Sequence, residues 1–286
     1  GRPILVPLSA GLDSRFIASG LRWRGYRDVF CYAYGLPGNH EAEASRKIAD
    51  ALGYPWRFVP YSPRQQADTF ASEDGRAYLR HADTLSNIPF QQDLHAVRVL
   101  KDCGFAPTEA LFVNGQSGDY ISGNHIPAPL AEGRQGLFGA ITDKHFSLWG
   151  ALKTPAALAH IEAALKQDLA AMGAPREAPE AALYEVSELN NRQCKYTIAG
   201  QRIYELFGFD WRMPLWDDTY LDFWQAMPLE HKLGQNLYKD MLEAADWAGV
   251  WQRGWHVNRK TIVPAWLNLV RNAAKVAHAP LGRQRW

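Results

Sequence analysis

Short apolar runs alternate with helical stretches from Ile4 to Val113, and that alternation admits few folds. Ile4 to Leu8 is a β-rich run closed by Ser9-Ala10-Gly11, after which Phe16, Ile17 and Leu21 recur at helical spacing until Gly25. Val29 to Tyr34 is the next strand, ended by Gly35-Leu36-Pro37-Gly38. Ala44, Ile48, Ala51 and Leu52 then make a helical stripe, with Gly53 where a left-handed cap belongs. Trp56 to Val59 is a third strand and Ala110 to Val113 a later one. Strand, helix, strand, helix, strand predicts an α/β fold, a parallel sheet with helices on both faces. Beyond it the strand signal thins. Helical patterns cover 155–172, 181–206, 218–227, 237–248 and 265–278, so a helical part is expected over 151–286, after an α/β part over 1–150.

Composition narrows the function classes. The chain has 286 residues, 47% of them hydrophobic and 21% charged, enough to build a sizeable core. Basic and acidic side chains number 31 and 30, so the global surplus of a nucleic-acid binder is absent. Cys31, Cys103 and Cys194 are sparse and form no CxxC pair, which argues against a disulfide framework and fits a reducing cytoplasm. No run approaches the ~20 apolar residues of a membrane span. The tail from Trp266 to Trp286 reads as a helix docked on its own core rather than on a membrane surface. The chain opens on Gly1 rather than a methionine, as a piece of a longer polypeptide would.

The densest local signal is Leu8-Ser9-Ala10-Gly11-Leu12-Asp13-Ser14, between the first strand and the first helix. A turn of small residues there aims backbone N–H groups, two hydroxyls and a helix N-terminus into one concavity, which suits phosphate. Asp13 would repel phosphate unless a divalent cation lay between them, and Mg²⁺ answers that need. The plainer reading is a Ser or Asp helix cap. GxxxxGK[ST] is absent and no GxGxxG follows the first strand, so neither familiar nucleotide loop applies.

A second cluster, Asn114-Gly115-Gln116-Ser117-Gly118-Asp119-Tyr120, again follows a strand directly. Loops at the carboxyl ends of parallel strands line one crevice, so Asp119 is expected to approach Asp13 and offer a second carboxylate to a metal. The competing reading is a hydrolase elbow at Ser117. It fails by one position, because Asp119 stands where GxSxG needs its last glycine.

Together these segments resemble the asparagine-synthetase-like ATP pyrophosphatases. Ser9-Ala10-Gly11-Leu12-Asp13-Ser14 is similar to that family's SGGLDS loop, with Ala10 for the middle glycine. Tyr34 to Gly38 with the helix to Gly53 resembles its adenine side, Asn114 to Asp119 its SGEGxDE loop, and Gly208 to Asp217 its GxExRxPFLD segment. The resemblance implies an ATP-dependent ligase that adenylates a substrate carboxylate, releases pyrophosphate, and transfers ammonia or another amine to the carboxyl. Carried over by position, Leu8, Ser9, Gly11, Leu12 and Ser14 would hold ATP and its pyrophosphate, and Tyr34 and Gly115 would flank adenosine. Asp13 and Asp119 would bind Mg²⁺, and Lys260 would stabilise developing negative charge.

Where the family loop has a glutamate this chain has Gln116, and Tyr120 replaces a second acid. An amide cannot exchange a proton at neutral pH, so Gln116 is expected to read the substrate by hydrogen bonding rather than act as a base. Asparagine synthetases also carry an N-terminal glutaminase domain. Only eight residues precede Ser9 here, which implies that ammonia comes from solution, from a separate glutaminase, or from a domain cut away. Asn124, His125, Arg192, Tyr196 and Arg212 are the candidate substrate residues. The Gly118 to His125 run resembles members encoded in surface-polysaccharide gene clusters, which implies a sugar carboxylate such as a uronic acid. The competing readings are a degenerate nucleotide-binding scaffold, which Gln116 favours, and a tRNA-modifying relative, disfavoured by the even charge balance.

Overall fold

A computed structural model describes residues 1–175, 177–252, 269–270, 272–274 and 276. In chain order it shows β1 (Ile4–Pro7), α1 (Leu12–Trp23), β2 (Val29–Gly35), α2 (His40–Leu52), β3 (Trp56–Pro60), α3 (Pro63–Ala71), α4 (Glu73–His81), α5 (Leu94–Asp102), β4 (Leu111–Val113) and α6 (Gly118–Ile121). There follow α7 (Ala128–Ala131), α8 (Leu137–His145), α9 (Pro155–Ala171), α10 (Glu180–Glu188), α11 (Arg202–Leu206), β5 (Asp210–Arg212), α12 (Asp218–Ala226), α13 (Leu229–Lys232) and α14 (Asn236–Ala245). Among the described residues, no helix is long and apolar enough to cross a membrane. The three cysteines are free.

The chain forms two compact units. The sheet unit is discontinuous, built from Gly1–Asn124 and a return segment beginning at Gln193; the second unit holds His125–Arg192.

All five strands of the sheet are parallel, in the order β3-β2-β1-β4-β5. The central strand β1 pairs Ile4 with Val29 on one side and with Leu111 on the other. Leu5 and Val6 are wholly buried. An unbroken apolar run with both faces covered is the signature of a parallel sheet under helices. Leu5, Tyr32, Val59, Tyr78, Leu100 and Phe112 form the core of this unit. The cap expected at Gly53 is present, with φ +71°, a conformation that a side chain would strain.

The second half is mainly helical, as expected, and one strand within it gave no sequence signal. Asp210–Arg212 is a fifth strand, pairing Leu111 with Asp210 and Val113 with Arg212. Three residues, two of them charged, carry no alternation signal. They suit an edge, where solvated charges discourage pairing with other chains.

In the second unit, Leu130, Ile141, Leu165, Leu169 and Tyr184 form a separate core. Thr154 starts the alanine-rich α9 by accepting from Ala157 N at 3.2 Å, with Pro155 at the first helical position. The helical reading of 265–278 falls largely outside the described residues.

Candidate active site

The strand order fixes where a site can lie. The chain runs from β1 to β2 to β3 on one side, then returns to place β4 on the other side of β1. Ligand crevices of open α/β sheets form outside the carboxyl ends of the strands at such a switch point. The loops that leave β1 and β4 are the two motif loops.

The β1 loop is held by its own hydroxyls. Ser9 N donates to Ser14 Oγ at 3.0 Å, Gly11 N donates to Ser9 Oγ at 3.0 Å, and the two hydroxyls lie 3.0 Å apart. Gly11 precedes α1 as its cap residue and no side chain caps the helix, which corrects the plain reading of a Ser or Asp cap. Leu8 is buried in the core, so it offers the crevice only backbone; Leu12 is half-buried. Arg15, not singled out in the sequence, is buried and donates from Nη2 to the Ala10 carbonyl at 2.7 Å. Burial lowers its pKa to about 10, where it is still a cation at neutral pH.

Two glycines let the β4 loop lie against the β1 loop. A Cβ on Gly115 would sit 2.6 Å from the Asp13 carbonyl oxygen and 2.7 Å from Ser14 N. A Cβ on Gly118 would sit 2.6 Å from the Asp13 carboxylate. At that approach Asp119 N donates to Asp13 Oδ2 at 3.0 Å. The structure therefore brings Asp13 and Asp119 together, two residues 106 apart in sequence.

The β4 loop is braced from behind by amides that no local pattern announced. Asn114 Nδ2 donates to Gln201 Oε1, and Asn114 Oδ1 accepts from Gln116 N at 3.1 Å. Ser117 stands in the left-handed region at φ +71°, and its buried hydroxyl donates to Gln193 Oε1 at 2.9 Å. An amide cannot take a proton, and a buried hydroxyl is not presented for attack, so this geometry corrects the elbow reading of Ser117. Gln193 rides on π-helical turns at Leu189–Ile198, a form that often marks functional segments.

At the end of β2, Tyr34 donates its hydroxyl to Asp93 Oδ1 and stacks on Tyr61 with ring centroids 5.0 Å apart. Tyr204 donates to Asp93 Oδ2 at 2.9 Å. Burial raises the Asp93 pKa, and the two phenol hydrogen bonds only partly offset the rise. The folded protein thus keeps a proton on Asp93 to higher pH than the unfolded chain. Stability from this group is fully present below the ordinary carboxylate pKa of about 4 and declines as pH rises above it. Asp93→Asn should therefore gain stability relative to the parent as pH increases from 4 to 7, which urea unfolding at the two pH values would measure.

The candidate substrate residues fall in both units. Asn124 is exposed, and its backbone N–H donates to the Asp119 carbonyl at 2.9 Å. Arg212 is at the exposed end of β5, donates to the Trp211 carbonyl at 2.7 Å, and lines a cavity of about 460 Å³ with Glu205, Trp211 and Trp216. Tyr196 packs edge-on against Phe90. His125 and Arg192 belong to the second unit, where Arg192 Nη1 lies 3.1 Å from His125 Nε2. Lys260 lies outside the described residues.

A family model for asparagine synthase matches residues 1–246, a stretch that spans both motif loops and all five strands. The chain belongs to the asparagine synthase family. A comparison with curated proteins found no match. Asparagine synthase domains are ATP-dependent amidotransferases, and the parallel sheet with its mainly helical C-terminal part fits that domain. The match ends after α14, so every residue described above at the switch point falls inside the asparagine synthase domain.

Proposed function

We propose that this chain activates a carboxylate with ATP and converts it to an amide. The observation that carries the reading is the junction of Asp13 and Asp119 at the switch point, inside an asparagine synthase domain. The carboxylate oxygen attacks the α-phosphorus, the bond to the bridging oxygen breaks, and pyrophosphate leaves with an acyl-adenylate behind it. Ammonia or an amine then attacks the acyl carbon, and AMP leaves. Ser9, Gly11 and Ser14 hold the departing pyrophosphate through the Ser9 and Ser14 hydroxyls, which the N–H groups of Ser9 and Gly11 orient, an arrangement that stabilises charge as it develops. Leu8 and Leu12 contribute backbone to that cradle, while Tyr34 and Gly115 flank the adenosine. Gln116 reads the substrate by hydrogen bonding, and Lys260 adds positive charge.

The donor set suits Mg²⁺. Among the described residues there is no group of three His, Cys, Asp or Glu that could hold a metal. Two hard carboxylates, Asp13 and Asp119, are what Mg²⁺ takes from a protein when phosphates and water complete its shell. Such an ion neutralises charge on the phosphates during transfer.

The resemblance of the Gly118 to His125 run to members from surface-polysaccharide gene clusters is the basis for a sugar carboxylate, a uronic acid, as the substrate class, with Asn124, His125, Arg192 and Arg212 as its candidate contacts. The nitrogen comes from ammonia in solution or from a glutaminase, on a separate chain or on the same polypeptide. Dependence on ATP and three free cysteines support a cytoplasmic setting.

Product analysis tests the proposal. Purified protein with ATP, Mg²⁺, ammonium and a panel of amino-acid and uronic-acid carboxylates should yield AMP and pyrophosphate with one carboxylate class. Asp13→Asn should lower that rate at least 100-fold, the effect of a lost charge-stabilising group at a reacting phosphate. ATP binding without AMP from any carboxylate would instead favour a nucleotide-binding scaffold, the reading that Gln116 supports. AMP with free aspartate and none with uronates would exclude the sugar-acid class.

A further inference from the structure

We propose that Tyr238 is a positioning residue of the nucleotide site, presetting the Asp13 carboxylate for a metal–nucleotide ion. The inference rests on the ligase reading and deepens it.

Tyr238 lies on α14, 225 residues from Asp13 in sequence, and donates its hydroxyl to Asp13 Oδ1 at 3.0 Å. The side chain is fully buried. Its ring is gripped edge-on by Phe16, with centroids 5.9 Å apart, and by Trp224 at 6.0 Å. Phe16 is on the same helix as Asp13 and three residues further on, so the ring contact and the hydroxyl contact register Tyr238 against a single turn of α1.

The other carboxylate oxygen, Oδ2, accepts from Asp119 N. Each oxygen of an ionised carboxylate has two acceptor positions. Tyr238 on one oxygen and Asp119 N on the other set the plane of the group. The phenol and the Asp119 amide thus hold Asp13 from two elements, α14 and the β4 loop. The neighbourhood shows the same division of labour. Gln235 Nε2 donates to Ser122 Oγ at 2.7 Å, and a Cβ on Gly123 would meet the Lys232 carbonyl at 2.6 Å. The 232–238 segment therefore grips the end of the β4 loop at Ser122 and Gly123, and Tyr238 carries it to Asp13 on the β1 side.

A buried tyrosine could serve packing alone, so the test must read the hydroxyl. Tyr238→Phe keeps the ring and deletes the donor. Calorimetric titration of the full chain with α,β-methylene-ATP, with Mg²⁺ and then with EDTA, separates metal-dependent from metal-independent binding. The expected result is about tenfold weaker binding of the Mg²⁺ complex, the scale of one hydrogen bond to a charged group, with metal-free binding changed less than twofold. In an Asp13→Ala background, Tyr238→Phe should produce no further loss. Tyr238→Met, which fills the space with an adaptable apolar chain, is the second variant if the first unfolds. Wild-type affinity in Tyr238→Phe, an equal loss with and without Mg²⁺, or a full additional loss in the Asp13→Ala background would each overturn the inference while leaving the ligase reading intact. Failure of the wild-type chain to bind the analogue would overturn the ligase reading and this inference with it.

Discussion

Alanine at position 115 should abolish nucleotide binding and destabilise the sheet unit by about 2–3 kcal/mol, the upper range for overpacking a close contact. The atoms that a methyl group would strike, Asp13 O at 2.6 Å and Ser14 N at 2.7 Å, are backbone. A side chain can rotate away from such a contact; a backbone at the first turn of α1 can yield only by shifting the helix. That shift would separate the β1 and β4 loops and break the Asp119 N–Asp13 hydrogen bond, so fold and site would suffer together. Gly139 in α8 is the matched control. Its added methyl would meet only a Gln135 side chain at 3.4 Å, and alanine there should stabilise by about 0.5–1 kcal/mol through helix propensity. Urea unfolding and analogue titration of the two variants would check both signs.

Glu188→Gln should destabilise the second unit by about 3 kcal/mol at neutral pH, the lower end for breaking a buried ion pair. The carboxylate side chain is 1% exposed and takes Lys144 Nζ at 2.9 Å, His125 Nδ1 at 3.2 Å and His145 Nε2. The low end applies because Lys144 and His145 are about 30% exposed and regain water when the carboxylate is lost. Burial alone would push the Glu188 pKa up, but hydrogen bonds from His125, His145 and Lys144 outweigh it and hold the carboxyl far below its usual range. A depressed carboxylate pKa contributes stability that is present above the unfolded value and lost as pH falls through the folded one. The difference between parent and variant should therefore be full at pH 7 and shrink below pH 4.5, the ordinary value for this group. Hydrogen exchange of residues 125–192 across that range would measure it. A constant difference would show that the glutamate is held by shape rather than by charge.

Much of this was visible along the chain. The four strands that alternate with helices were read close to their observed ends, since a run such as Ile4–Pro7 is apolar throughout and closed by small residues. The two motif loops were read as well, because each stands directly after a strand, and strand ends of parallel sheets are where ligands bind. What escaped was whatever gains meaning only from a distant partner. Asp210–Arg212 is a strand because β4 offers it hydrogen bonds, not because of its composition. Asp93 and Tyr204, Asn114 and Gln201, and Tyr238 and Asp13 lie 111, 87 and 225 residues apart, and nothing at either end signals the other.

The sequence by itself determined the fold class and the two acidic loops, because periodicity and short-range motifs follow from local backbone geometry, and those motifs carried the resemblance to the family. Only the tertiary structure decided that the loops meet through Gly115 and Gly118, that buried amides and a buried phenol hold them, and that the sheet unit is assembled from two separated stretches of chain. The physical reason is that close approach depends on where the strands are ordered in the sheet, and that order is settled by packing across the whole core rather than by any segment of it.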